Sequence, residues 1–414
     1  MANEALFAER LKRFDDAIAM REPDRVPIGT LMGVYPFYRY GSSWKDTMYD
    51  YEAANAASIK FHEEYQPDAA LIPFSHSGKA DEIAGSTMCD WPGRPGTSVS
   101  DISPYQMIEW EYLEQDEYPE MLKDFTGFML RKYIPRAYSN LTGLSGISFN
   151  PSIVIGTPTL APLYSPEALD AYEKLRLIGE EDAKRGAAIG QLAGKLTEMG
   201  YPPYFIGAGE APFDVLSDYY RGVVGASEDL VECPEYVAEA CELFADIQIA
   251  DFQKIFRDMP PVPGKRVFFP LHKGMDGFMN DEQYREIYWK PLRRIVDTLI
   301  EMDVVPFIYT EGNYNTRLET MCDLPKGKCL VHFETVDMKR AKETVGQVAC
   351  ISGNLPIYLL EYGTTEQVIE ETKKLLEICM PGGGYIFDTN GGTDVAKPEN
   401  VEAMFETVRE YGKY

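Results

Sequence analysis

Between residues 4 and 21 the apolar side chains Leu6, Phe7, Leu11, Phe14 and Ile18 return at helical spacing, and Pro23 stops the pattern. Val26-Pro27-Ile28-Gly29 then reads as a short strand, residues 51–64 as a helix and 69–72 as a second strand. From residue 166 the alternation becomes regular. Helices are predicted at 166–199, 234–258, 281–302, 314–322, 337–344, 364–379 and 398–411. Short runs rich in β-branched and aromatic residues fall between them at 266–270, 304–309, 329–333, 348–352 and 385–388. Strands that alternate with helices imply parallel strands and right-handed crossovers. No glycine-rich phosphate fingerprint follows any strand, so the series favours an α/β fold of the distorted (β/α)8 barrel type over a doubly wound sheet. Residues 73–150 break the rhythm: they are rich in Gly, Pro, Ser and aromatics and have few periodic runs. They read as an insertion or lid within an elaborated N-terminal segment, and the chain 1–414 as a single barrel domain.

A barrel places its chemistry at the C-terminal ends of its strands. The run Val304-Val305-Pro306-Phe307-Ile308-Tyr309-Thr310-Glu311 delivers Tyr309 and Glu311 there, and Leu330-Val331-His332-Phe333-Glu334 delivers His332 and Glu334. A carboxylate beside an imidazole is a pairing for acid–base work or for a metal. The plainer alternatives are a loop acceptor for Glu311 and a buried core histidine for His332. Glu334 shares a strand face with His332 and is placed to orient it. His272 and Lys273 end another strand and could meet a carboxylate or phenolate, or simply face solvent. Asp388 and Asn390 precede glycines that permit close approach to a ligand. Tyr35 and His76 follow the first two strands and are placed to line the cleft. His62, inside helix 51–64, reads as a solvated face residue.

Composition narrows the partners. The chain carries 66 acidic against 40 basic residues, a net charge of −26, which repels nucleic acid and anionic membranes. Seven scattered cysteines with no CxxC pair point to free thiols and a reducing, cytoplasmic setting. The first residues lack a basic and apolar leader, and no run reaches the ~20 apolar residues of a membrane span.

Several segments carry a resemblance. Glu9-Arg10, Arg13, Ala17-Ile18 and Glu22-Pro23-Asp24-Arg25-Val26-Pro27-Ile28 open the chain in a familiar way. Gly209-Glu210-Ala211-Pro212-Phe213, Asp229-Leu230-Val231-Glu232-Cys233-Pro234, Tyr288-Trp289-Lys290-Pro291 and the closing Gly383-Gly384-Tyr385-Ile386-Phe387-Asp388 continue it. Together they resemble the uroporphyrinogen decarboxylase superfamily, which implies a distorted barrel with its cleft at the strand ends. The decarboxylases of that superfamily hold their substrate's carboxylates with an Arg-Gln-Ala-Gly-Arg segment after the first strand. Here the segment reads Gly29-Thr30-Leu31-Met32-Gly33-Val34-Tyr35 and has no arginine. The resemblance therefore leans to the methyltransferase branch, which implies methyl transfer between a small methylated donor, such as a methoxylated aromatic, and a corrinoid on a partner protein. That branch holds zinc with a His-x-Cys strand end, where this chain has Tyr309-Thr310-Glu311. The implied set here is Glu311, His332 and Glu334, with His272 or Asp388 as other third ligands. Glu311, His332 and His272 are then the expected catalytic residues, and Tyr35, His76, Lys273, Tyr309, Asp388 and Asn390 the expected substrate contacts. A cofactor-free decarboxylase and a ligand-binding barrel are the alternatives. A homodimer is compatible with either.

Overall fold

The computed structural model describes every residue except Met1, Thr30, Ile153, Val154 and Pro261. A small antiparallel pair, β1 (Cys89–Asp90) and β2 (Gln106–Met107), lies in the 73–150 segment. The main sheet runs in chain order: β3 (Gly207–Ala208), β4 (Arg266–Leu271), β5 (Val305–Asn313), β6 (Leu330–Thr335), β7 (Cys350–Ser352) and β8 (Tyr385–Ile386). Every pairing within it is parallel, as alternating helices require.

Single bridges carry the ring onward from both edges. Ile28 pairs with Phe387 beyond β8, and Ala70 pairs with Pro203 before β3. Between those two, Asp68 N–H donates to Ile28 O at 3.3 Å. The expected strands 26–29 and 69–72 are thus reduced to isolated contacts. Their order comes from side chains instead: the buried Asp68 carboxylate accepts from Arg13, from both Arg25 Nη atoms and from Ile28 N–H, all at 2.7–2.8 Å.

Alternation along the strands separates two cores. Phe307, Leu330, Cys350 and Ile386 point inward and pack on Phe14, Ala17 and Ile18 of the helix Ala2–Ile18, which plugs the N-terminal end of the barrel. Val267, Phe269, Ile308, Val331 and Ile351 point outward into the larger core under the surrounding helices. The helices Pro166–Glu198, Pro234–Arg257, Thr365–Cys379 and Pro398–Tyr411 fall where the periodicity predicts. The predicted helix 281–302 widens into a π-helical turn over Tyr284–Trp289. The predicted helix 314–322 shrinks to Leu318–Met321, because Asn315 and Thr316 N–H groups bond to Asn313 and Asp276 side chains instead.

One further correction concerns burial. His62 is not a solvated residue: it is fully buried in the helix Tyr51–Tyr65, and Leu71 N–H donates to its Nε2 at 3.0 Å. All seven cysteines are unpaired. No described helix is long and apolar enough to cross a membrane.

Candidate active site

The ends of β4, β5 and β6 meet at one rim. The ladder places Pro270 beside Tyr309 and Tyr309 beside His332, so the residues two further along, His272, Glu311 and Glu334, stand next to one another above them. Strand β5 reaches this rim because it runs past the predicted end at Tyr309 to Asn313, with an irregularity between Thr310 and Asn313. Gly312 there has φ +85°, a left-handed conformation that lets its N–H turn back to the Glu334 carboxylate.

His272 is the best-held side chain of the group. Its Nδ1 lies 2.5 Å from Asp218 Oδ2, and its Nε2 is 3.7 Å from Glu311 Oε1. Lys273 Nζ sits 2.8 Å from the other Asp218 oxygen. Beneath them the fully buried Asp214 accepts from the backbone N–H groups of His272 and Lys273 at 2.8 and 2.9 Å, and from Tyr288 OH at 2.6 Å. Asp214 and Asp218 are four residues apart, so both face the strand end, and Asp218 lies in a π-helical turn, Leu216–Arg221. Glu210, just after β3, accepts from Tyr219 OH at 2.6 Å with one oxygen, while its other oxygen is buried without a partner among the described residues.

The electrostatics follow from this packing. Burial pulls the His272 pKa down, but the Asp218 hydrogen bond and the charges of Asp214, Glu311 and Asp218 outweigh it and raise it to about 9. At neutral pH the ring is an imidazolium. Burial raises Glu210 to about 7 despite Tyr219 and His272. Burial also raises Glu311, and the nearby Glu334 and Asp214 charges add to that. Asp218 moves the other way: burial opposes ionisation, yet His272 and Lys273 hold it below the ordinary range.

Two chambers open on this rim. A polar chamber of about 500 Å³ is lined by Tyr105, Asp218, Tyr219, His272, Lys273 and Glu311. An apolar one of about 240 Å³ is walled by Phe37, Trp44, Phe74, Phe205, Phe268 and Tyr309. Tyr309 and Glu311, two apart on β5, join them. The 73–150 segment contributes Tyr105, Met107, Ile108 and Glu109 to the polar chamber.

The expected residues separate accordingly. His272, Lys273, Glu311 and Tyr309 line the chambers, and Glu334 sits beside them. His76 lines neither chamber; it pairs with Asp81 and lies edge-on to Tyr105 at 5.1 Å. Tyr35 is core, not cleft: it is 1 % exposed and its hydroxyl meets Tyr65 OH at 2.8 Å. Asp388 is buried and accepts from Leu31 and Thr389 N–H groups and from Tyr204 OH, at 2.9–3.2 Å. It binds the chain to itself, and Gly29 must lack a side chain because a Cβ would stand 2.2 Å from its carboxylate. The Asn390 side chain is likewise committed, to Ile357 N–H at 2.9 Å. His332 is fully buried, stacked under Tyr309 with ring centroids 4.6 Å apart, and burial pushes its pKa down to about 3.

The expected metal set Glu311, His332 and Glu334 therefore does not converge, because the Tyr309 ring stacks on His332. Among the described residues no three His, Cys, Asp or Glu side chains are grouped to hold an ion. The sequence reading missed Asp214, Asp218, Tyr219 and Tyr105, and named Glu210 only within a motif. The available signal was the four-residue spacing of Asp214 and Asp218 after a strand end.

The comparisons with known proteins agree with the fold. A uroporphyrinogen decarboxylase of Azoarcus sp. (strain BH72) is 31% identical over 143 residues, 33% of this chain and 39% of that protein. The methylcobamide:CoM methyltransferase MtbA of Methanosarcina acetivorans is 31% identical over 131 residues, 31% of this chain and 37% of that protein. The chain thus matches less than two fifths of the length of these curated relatives. The solved structure of a methyltransferase from Methanosarcina mazei superposes over 97% of this chain and 98% of its own, with a TM-score of 0.63 at 16% identity. That likeness shows the fold. The family model described as uroporphyrinogen decarboxylase (URO-D) matches residues 155–411, more than half of the sequence, and the chain belongs to that family.

Proposed function

We propose that this chain is an enzyme that moves a methyl group between a small methylated donor, such as a methoxylated aromatic, and a corrinoid carried on a separate protein. The observation that carries the reading is the charge of the mouth. The charges of Glu210, Asp218 and Glu311 act on His272, Glu334 stands beside Glu311, and no arginine lines either chamber. Buried carboxylates of a porphyrinogen would need bidentate cationic partners. A neutral donor with an aromatic body and one oxygen needs an apolar wall and one proton donor, and the two chambers offer both.

In this reading the aromatic ring packs between Phe268, Phe74 and Trp44, and its oxygen displaces Glu311 from His272 Nε2. A corrinoid held by the partner protein would supply the nucleophile for the methyl carbon. The C–O electron pair goes to the leaving oxygen, and His272 delivers its Nε2 proton there. Asp218 fixes the ring, Asp214 fixes the backbone beneath it, and Lys273 adds a second positive charge. General acid catalysis of this kind is worth ~10²–10⁴ in rate. Zinc does not fit the residues present: the Asp218 and Glu311 carboxylates flank the two ring nitrogens of His272, and His332 lies behind Tyr309. The exposed Met107, Ile108 and Trp110 beside the polar chamber offer an apolar rim to the corrinoid protein.

The test is incubation with a reduced corrinoid protein and a panel of methoxylated aromatics and methylamines. Methylcobalt absorbance should grow with one donor class, and His272→Gln should slow it by ~10²-fold or more. If no donor works and uroporphyrinogen loses carbon dioxide instead, the proposal is wrong. Tight ligand binding with no turnover of either kind would replace it with a binding barrel.

A further inference from the structure

The barrel wall has an open seam. Ala70 and Pro203 form one bridge, and beyond it the two chain segments part. On the opposite edge of this segment the helix Tyr51–Tyr65 takes the backbone groups of Leu71. Leu71 N–H donates to His62 Nε2, and Leu71 O accepts from Ser58 Oγ at 2.9 Å. His62 can accept because its Nδ1 carries the proton, given to Ser58 O at 2.7 Å, and because burial lowers its pKa to about 4.

Outside the seam, under the helix Pro166–Glu198, lies a cavity of about 620 Å³. Ala70, Ile72, Pro73, Phe74 and Phe205 line both this cavity and the apolar chamber inside the barrel. The outer wall is apolar as well, with Ile189, Ala193, Ile206 and Met259. Arg185 is the exception. Its Nη2 donates to Ser75 O, its Nε is shut from solvent without a hydrogen-bond partner, and it makes no ion pair with the described residues. Burial lowers its pKa, and the nearby Asp182 and Tyr51 only partly offset that. A guanidinium left incomplete against apolar walls is costly unless an anion completes it.

We propose that the seam is a binding site for an amphipathic monoanion, its carboxylate on Arg185 and its apolar body along Ile72, Phe74 and Phe205. Aliphatic and aromatic acids both have this chemistry. Because the inner and outer cavities share a wall, occupation of the seam touches Phe205 and Phe74 from behind and bears on what the inner chamber holds. The site stands whether or not the rim transfers methyl groups.

Isothermal titration of the full chain with decanoate, decanol and decylamine tests it. Decanoate should bind once per chain and about tenfold or more tighter than the amine, as a charge-assisted pair requires. Arg185→Gln should bring decanoate to within about twofold of decanol, because only the charged contact is lost. Ala193→Trp should fill the cavity and weaken all three, with circular dichroism and thermal midpoint unchanged. Equal binding of acid and amine, or a preference that survives Arg185→Gln, overturns the proposal. So does decanoate binding unaffected by Ala193→Trp, which would place the ligand elsewhere.

Discussion

Asp218→Asn should collapse the charge state of His272. The two groups touch at 2.5 Å, with charge centres roughly 4 Å apart, and at an effective dielectric of ~20 that pair is worth ~4 kcal/mol, or ~3 pH units. Asp214 and Glu311 remain to support the imidazolium, while Lys273, freed from Asp218, opposes it. The net fall should be ~2 units or more, from about 9 to near or below neutrality. The chain has four histidines, so long-range proton–nitrogen spectra of the imidazoles are resolvable, and the signal missing in His272→Gln assigns the ring. In the wild type His272 should titrate near 9, while His62 and His332, pushed down to about 4 and about 3, should stay neutral above pH 5. The same group makes a signed contribution to stability. Its folded pKa is raised, so the contribution is full below pH 6.5 and is lost as pH rises through about 9. Any turnover that uses its proton should fall over the same alkaline limb, and at lower pH in the Asn variant. A wild-type His272 midpoint below 7, or an Asn variant whose midpoint has not moved, refutes the electrostatic account of the site.

Asp388→Asn should alter how stability depends on pH. The Asp388 carboxyl is raised by burial to about 7, so the wild type loses stability relative to the variant as pH climbs from about 4 to 7. Urea melts should show the wild-type-minus-variant difference falling by about 3 kcal/mol between pH 5 and pH 7.5, and a flat difference counts against it. Arg221→Ala should free the 109–118 strap, because Arg221 bonds the buried Asp229 at 2.6 Å, Leu113 O at 2.7 Å and Glu111 at 2.8 Å. The expected cost is about 3–5 kcal/mol, with amide exchange near Leu113 rising before the rest, and uniform exchange would show that the strap is held by other contacts.

Element order and type were legible because long periodic segments bury one face each, as in Pro166–Glu198 and Pro234–Arg257. The first two strands were legible as apolar runs but not as isolated bridges. Their backbone groups are satisfied by Asp68, His62 and Ser58 side chains, and no local pattern announces a distant partner. The site was half legible. Strand-end position identified His272, Lys273 and Glu311, whereas the choice of partner depended on helix placement. Glu311 meets His272 across β4 and β5 because the bulge after Thr310 turns the strand end, and His332 stays one layer lower under the Tyr309 ring. The residues that tune His272, Asp214 and Asp218, sit on a helical turn more than fifty residues upstream.

The segments that carry the family resemblance are mostly scaffold. Arg13, Asp24 and Arg25 converge on or beside Asp68 and fasten the plug helix to the first strand. Asp229 holds Arg221 and Tyr118, and Asp388 gathers Leu31 and Tyr204. Each contact closes the barrel where its ladders are thinnest, so these residues report the fold. The groups that set the chemistry, Glu311 beside His272 and a loop after the first strand that has no arginine, lie at the mouth. Family membership and activity therefore rest on different atoms. Within this family the reaction has to be read from the charge and shape of the rim, where an oriented imidazolium set among carboxylates faces an aromatic floor.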